Sequence, residues 1–302
     1  MQPIKKAEVV TERPAQAATG VRIREITPAD LVAVAALLTR GFDFRSEAYW
    51  LRGLRRHAER PRPAGFPAFG YCLDHGGIPV GVILLLFSNV RAGDGATIVR
   101  ANVSSWYVEP AFRAFSSMLV RAATRNKTVT YFNITPAPHT WPQVEAQGFS
   151  VYCKGQIYAA PVLSRPLAGA TVSEYAESET DGLSSYEADL LRQHADWGCL
   201  SVVAREADAA HPFVFQKHRV KRVLPVYRLL YCRDMADVAR LAGNIGRFLL
   251  RRGGVLARLD ANGPMTGLVG WYSDERGRKY VKGPHPPRLG DLAFTEAALF
   301  DA

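Results

Sequence analysis

The sequence predicts a mixed α/β chain built from two halves of similar element order. Apolar residues alternate at strand period in one set of segments and recur at i, i+3, i+4, i+7 in another. The two kinds of segment interleave from residue 21 onward, and a Pro-, Ala- and Ser-rich stretch at 161–181 divides them into two series. A length of 302 residues suits two ordinary domains or one doubled one, and 48% apolar against 22% charged residues excludes a disordered chain.

Residues 21–26 alternate as an edge-like strand. Thr27-Pro28-Ala29-Asp30 then reads as N-cap, proline at N1 and an acid at N3, a capping box. Leu31, Val34, Ala35 and Leu38 give the helix behind it one buried stripe, and Gly41 ends it. A second helix starts at the Ser46 cap and turns Trp50, Leu51, Leu54 and Ala58 inward. Segments 69–74 and 79–87 flank His75-Gly76-Gly77 as a hairpin whose second arm, apolar throughout, is a central strand. Residues 88–97 are expected as a polar loop, followed by a strand at 98–108, a helix at 111–125 and a strand at 128–134. A short helix capped by Thr140 ends at Gly148, and 151–160 closes the series as one strand.

The second series runs helix 182–196, strands 199–205, 212–219 and 226–232, helix 234–252, strand 255–260, and strands near 278–282 and 292–300. The expected organisation is a flexible leader at 1–20, a first domain at 21–165, a linker at 166–181 and a second domain at 182–302. The two element orders suggest a diverged duplication.

Cys72, Cys153, Cys199 and Cys232 are far apart, with no C-x-x-C and no metal-ligand spacing, so buried reduced thiols, a cytoplasmic setting and no metal are expected. No signal-like segment precedes the charged N-terminal residues, and the longest apolar run, 80–87, is far short of a membrane span. The formal charge of +10 favours an anionic partner. Nucleic acid is a weak candidate, for no RNA motif or aromatic–basic alternation is present.

The stretch SSWYVEPAFRAFSSMLVRAA, 104–123, turns from strand into helix without pause. A helix beginning there aims unpaired N–H groups and its positive dipole end at one place, an anion site. Ala114, Ser116 and Ser117 are small enough to admit a phosphate, and Arg113 offers a charged fork. An ordinary strand-to-helix connection would show the same residues.

Residues 21–160 resemble the GNAT acyl-CoA N-acyltransferase superfamily. Val108, Pro110, Phe112 and Arg113 stand at the spacing of its V-x-P-x-[YF]-R-x-x-G-x-[GA] motif, whose two glycines fall here on Ser116 and Met118. VEAQGF, 144–149, is similar to the family's Y-x-x-x-G-F ending, with Val144 at the place of the tyrosine that serves as general acid. The resemblance implies a co-substrate, acetyl-CoA or another acyl-CoA, with its pyrophosphate on Arg113, Ala114, Phe115, Ser116 and Ser117. It also implies that strands 98–108 and 128–134 splay apart, with the pantetheine arm along Tyr107 and Val108. The second half, lacking the motif, would shape the substrate.

Transfer to a small-molecule or protein amine requires a proton acceptor and a proton for the thiolate. Glu109 at the strand end and His139 in the following loop are candidate proton carriers, and Tyr131 is the candidate replacement acid; solvation or packing explains each equally well. His194, Asp196 and Cys199 are close in sequence without the spatial order a nucleophilic triad needs. An acyl-CoA-dependent acyltransferase is the leading expectation. A non-catalytic coenzyme A-binding or interaction module and an aminoacyl-tRNA-dependent transferase are the alternatives.

Overall fold

The computed structural model describes residues 20–91, 95–220 and 224–300. The expected leader at 1–20 lies outside them apart from Gly20.

The first half opens with β1 (Val21–Glu25), followed by α1 (Leu31–Gly41) and α2 (Glu47–Glu59). The capping box forms: the Thr27 N–H and hydroxyl both donate to Asp30, 2.8 Å each. Arg24 then clamps Asp30 at 2.7 and 2.8 Å and reaches Asp74 at 2.8 Å, which holds the Asp30 carboxyl far below the usual carboxylate range. Ser46 caps α2 by accepting the Tyr49 N–H at 3.2 Å. The hairpin pairs β2 (Gly70–His75) with β3 (Ile78–Arg91), and β3 with β4 (Thr97–Val108). Within the loop expected at 88–97, residues 88–91 and Thr97 are strand, paired as far as Arg91 with Thr97, because polar side chains do not prevent a backbone ladder from continuing, while 92–94 lie outside the described residues.

After β4 the chain makes a 3-10 turn at Pro110–Phe115, and α3 (Ser116–Ala123) begins only then. The expected helix at 111–125 is shorter and starts later, for the Phe112 N–H closes the tighter i to i−3 bond onto Glu109 O at 2.9 Å. β5 (Thr130–Asn133), α4 (Trp141–Ala146) and β6 (Ser150–Cys153) follow, and β7 (Gly155–Ala159) comes next. The single strand expected at 151–160 is broken at Lys154, whose N–H donates to Asn262 Oδ1 at 2.7 Å, and its two pieces enter different sheets.

The second half comprises β8 (Thr171–Glu174), α5 (Ser185–Asp196), β9 (Leu200–Arg205), β10 (Ala210–Val220) and β11 (Leu224–Cys232). It continues through α6 (Met235–Arg240), α7 (Ala242–Leu250), β12 (Leu256–Ala261), β13 (Gly270–Ser273), β14 (Lys279–Lys282) and α8 (Glu296–Leu299). Part of the expected linker thus pairs as β8 against β9. The helix expected at 234–252 divides at the fully buried Leu241. The strand expected at 292–300 is a turn and α8; this run is almost wholly buried, and burial on all sides reads alike for helix and strand.

Two seven-stranded mixed sheets result, ordered β1-β2-β3-β4-β5-β14-β6 and β13-β7-β12-β11-β10-β9-β8. Each half lends the other a strand. β14 lies between β5 and β6, and β7 lies between β12 and β13. The C-terminal segment runs between the sheets. Arg100, buried on β4, holds Asp291 through two bonds of 2.8 and 3.1 Å, and Phe132 and Ile134 share a core with Leu190, Val214, Leu292 and Ala297. All four cysteines are buried and unpaired.

His194 ties α5 to that segment. Its Nδ1 donates to Leu190 O at 2.8 Å and its Nε2 accepts the Phe294 N–H at 3.1 Å, an arrangement that requires the neutral ring. Burial pushes its pKa down to about 4. Protonation then favours the unfolded chain, so the contribution is complete above the free value near 6.5 and is lost as pH falls toward 4. We expect stability in denaturant titrations to fall by up to about 3 kcal/mol across that window. His194→Gln should flatten this part of the profile; an unchanged slope would contradict the assignment.

A fragment of residues 21–165 leaves β5 and β6 without the strand between them. Such a fragment should be insoluble or inactive, since it exposes two sheet edges and the core shared with the second half. Recovery of a stable, fully active fragment would show that the exchange is dispensable.

Candidate functional site

The parallel pairing of β4 with β5 is short: Arg100, Ala101 and Asn102 face Thr130, Tyr131 and Phe132, and no described strand pairs with 103–108 on that side. The two strands therefore splay. β4 also bulges there, with Ser105 and Trp106 set against Ile83 between the pairs Ser104–Leu84 and Tyr107–Val82. Ser105 is held at φ 44°, in the left-handed region that non-glycine residues seldom enter. A bulge of this kind re-aims backbone groups at a strand end.

A cleft of about 800 Å³ opens at that end. Its lining includes the expected Tyr107, Val108, Arg113, Ser116 and Ser117, together with His139. Arg121 of α3 and Lys282 of β14 also line it, and no lining residue is acidic. The Lys282 ammonium donates to Gln147 O at 2.9 Å and to Thr124 Oγ1 at 3.3 Å; burial and the neighbouring Arg121 lower its pKa. Trp106 contributes a buried Nε1–H that has no partner among the described residues. Met118, at the second motif position, is half exposed and leaves the cleft unobstructed.

Four expected residues lie elsewhere. Tyr131 is 3% exposed and packs in the core with Leu119, Val120 and Tyr280, and burial pushes its hydroxyl up to about 12. Strand alternation turns it inward, so it is not placed to protonate a group in the cleft. Glu109 is engaged by Arg40 of α1 at 2.7 and 3.1 Å. Ala114 is exposed and Phe115 packs partly against the core, neither lining the cleft. Tyr107, besides lining it, rests on α1 where Gly41 leaves room; a Cβ on Gly41 would meet its ring.

One carboxylate that the sequence reading missed sits in the splay. Glu296, at the start of α8, accepts from Ser104 of β4 and from Thr135 Oγ1 just beyond β5 at 2.5 Å, while its N–H donates to Asn102 Oδ1 at 2.8 Å. It lay in a run read as strand, and its only sequence signal was a single acid within an apolar stretch behind a Thr295 cap.

The second half repeats the splay with a different outcome. β11 pairs with β12 only at 226–228, and residues 290–292 fill the space beyond: Cys232 N–H donates to Gly290 O at 2.9 Å and Leu292 N–H to Leu230 O at 2.7 Å. In the first half no described strand fills the splay, and a cleft lined by cations opens at its end. Among the described residues no cluster of metal-ligating side chains occurs, and no helix is long and apolar enough to cross a membrane.

No protein-family model matches the chain, and no curated protein matches it by sequence. Solved structures do match. A GCN5-related N-acetyltransferase from Anabaena variabilis aligns at 9% identity over 87% of this chain and 72% of its own, with a TM-score of 0.54. A protein from Pyrococcus horikoshii, described provisionally as an acetyltransferase, aligns at 14% identity over 91% of this chain and 94% of its own, again at 0.54. One from Enterococcus faecalis, described provisionally as an N-acyltransferase, aligns at 11% identity over 90% and 73%, at 0.52. With a splayed β4–β5 pair and two such sheets in tandem, the chain has the fold of the GNAT N-acetyltransferases.

Proposed function

We propose that the protein is an acyl-CoA-dependent acyltransferase that moves an acetyl or other acyl group to an amine. The observation that carries this reading is the unpaired edge of β4 opening onto a cleft lined by Arg113, Arg121 and Lys282 without a carboxylate. Such a lining suits the phosphates of coenzyme A, with the N-terminus of α3 adding its dipole. The backbone of 105–108 and the orphaned Trp106 N–H suit the amide-bearing arm. The four buried thiols suit a reducing compartment, so the cytoplasm is the proposed setting.

Bound in this way, an acyl-CoA supplies a thioester whose acyl carbon an amine attacks while the thiolate leaves. The chain's part is to position and to move a proton. An amine with a pKa near ~10 must lose a proton, and we assign that proton to Glu296, whose carboxylate lies in the gap between β4 and β5. Ser104 and Thr135 hold the carboxylate in place. Backbone N–H groups freed by the bulge would polarise the acyl carbonyl, an electrostatic contribution that depends on position rather than side-chain type. His139, exposed on the cleft wall, is a second proton carrier within the same opening.

Calorimetric titration with coenzyme A, acetyl-CoA and longer acyl-CoAs tests the reading. Arg113→Ala and Lys282→Gln should each weaken binding by about 1–3 kcal/mol, the range of a lost charge-assisted contact. Affinity equal to wild type in both would remove the cleft as the coenzyme site. Glu296→Gln should lower turnover about 10²–10⁴-fold with little change in coenzyme A affinity, whereas Tyr131→Phe should leave turnover unchanged. The reverse pattern would return the proton to Tyr131.

A further inference from the structure

A second cavity, of about 460 Å³, lies between the two sheets. One wall is Ile134, Thr135, Pro138 and Trp141, the outer side of the segment that also bounds the coenzyme cleft. The facing wall is basic. Arg228 of β11 and Arg258 of β12 are register neighbours on parallel strands, so their side chains leave the same face of the sheet. Arg276, Arg278 and Lys279 complete the lining, and none of the lining residues is acidic.

The two inner arginines differ in their partners from two deeply buried cations nearby. Arg100 and Lys279 each meet a carboxylate, Asp291 at 2.8 Å and Asp260 at 2.7 Å. Arg228 is 6% exposed and has no salt bridge among the described residues. Burial and the adjacent Arg228 push the Arg258 pKa down to about 10, against the opposite pull of the Tyr158 hydroxyl and of the Asp260 carboxylate that Lys279 already engages. Gln216, opposite Arg228 in register and 1% exposed, leaves both its amide oxygen and its amide nitrogen without a partner among the described residues. Two adjacent guanidinium groups drawn largely out of water beside an unsatisfied amide favour an oxyanion between them.

We propose that this cavity is the acceptor pocket and that it takes a small amine bearing a carboxylate or phosphate, the oxyanion seated between Arg228 and Arg258. The identification as acceptor rests on the acyltransferase reading; the oxyanion pocket itself does not. Thr135 supplies the connection, since it lines this cavity and donates to Glu296. An acceptor with its acid at the arginines therefore extends its amine toward the carboxylate assigned as base. The volume suits an amino acid or a short peptide and is too small for a polymer.

The test uses the full chain, with succinate and inorganic phosphate as calorimetric probes. At least one should bind saturably, at least tenfold more weakly in Arg228→Gln and Arg258→Gln and unchanged in Arg113→Ala, which reports the other cleft. Arg258→Met should melt at or above the wild-type temperature, because it removes one of two adjacent like charges; a melt retained in these variants shows that lost binding is not lost folding. Binding of succinate alone identifies a carboxylate acceptor, and binding of phosphate alone a phosphorylated one. Failure of both probes to bind the wild type, or equal binding in the arginine variants, overturns the proposal. Acylation assays with aspartate, O-phosphoserine and ethanolamine separate the two readings. Acylation of ethanolamine as readily as the acidic amines refutes the acidic acceptor and leaves the acyltransferase. Arginine-dependent probe binding without coenzyme A binding leaves the oxyanion pocket and removes the acyltransferase.

Discussion

The position of β14 decides most of the rest. A strand of four residues from the second half sits between β5 and β6 of the first, hydrogen-bonded to both. Its two ends supply both cavities: Lys282 lines the cleft beside α3, and Lys279 lines the cavity between the sheets. β7 makes the reciprocal crossing. Neither half owns a complete sheet, and neither cavity is built by one half alone.

The two splayed strand pairs show how one geometry can serve two purposes. Parallel strands that diverge leave a row of unpaired N–H and C=O groups, which must be satisfied by something. In the second half the chain's own residues 290–292 satisfy them. Three residues beyond Ala293, the same segment reaches the first-half splay and delivers the Glu296 carboxylate instead of a pairing strand. The buried Arg100–Asp291 pair fixes the register between these events, since Arg100 also donates to Ala293 O at 3.2 Å. Removing either partner would leave a charge buried without compensation.

Local features of the fold were legible in the sequence. Thr27 with Asp30, the Ser46 cap and the i, i+3, i+4 stripe of α1 are signals carried within a few residues, and the elements form where those signals stand. Sheet membership was not legible, because alternation says that a segment is extended and nothing about its neighbours. Residues 151–160 alternate as one strand while their two pieces belong to different sheets. The site divides in the same way. Arg113, Ser116 and Ser117 follow from one local motif, whereas Lys282, Glu296, Arg228 and Arg258 enter through pairings remote in sequence. The burial of Tyr131 was not legible either, because the face a strand residue occupies depends on one residue of register.

The strand exchange also sets an order on biosynthesis. Cys153 and Lys279, neighbours in the first sheet, are 126 residues apart in the chain. As the polypeptide emerges, β5 and β6 are available long before the strand that must lie between them, and β7 is committed to partners not yet translated. An isolated first half emerging from the ribosome would present two open edges to any other extended chain. Completion of both sheets is therefore a late, long-range step, of the kind that folds slowly and competes with aggregation. Assembly of the intact molecule depends on keeping its earlier-made half soluble until β14, made 126 residues after its neighbour Cys153, arrives.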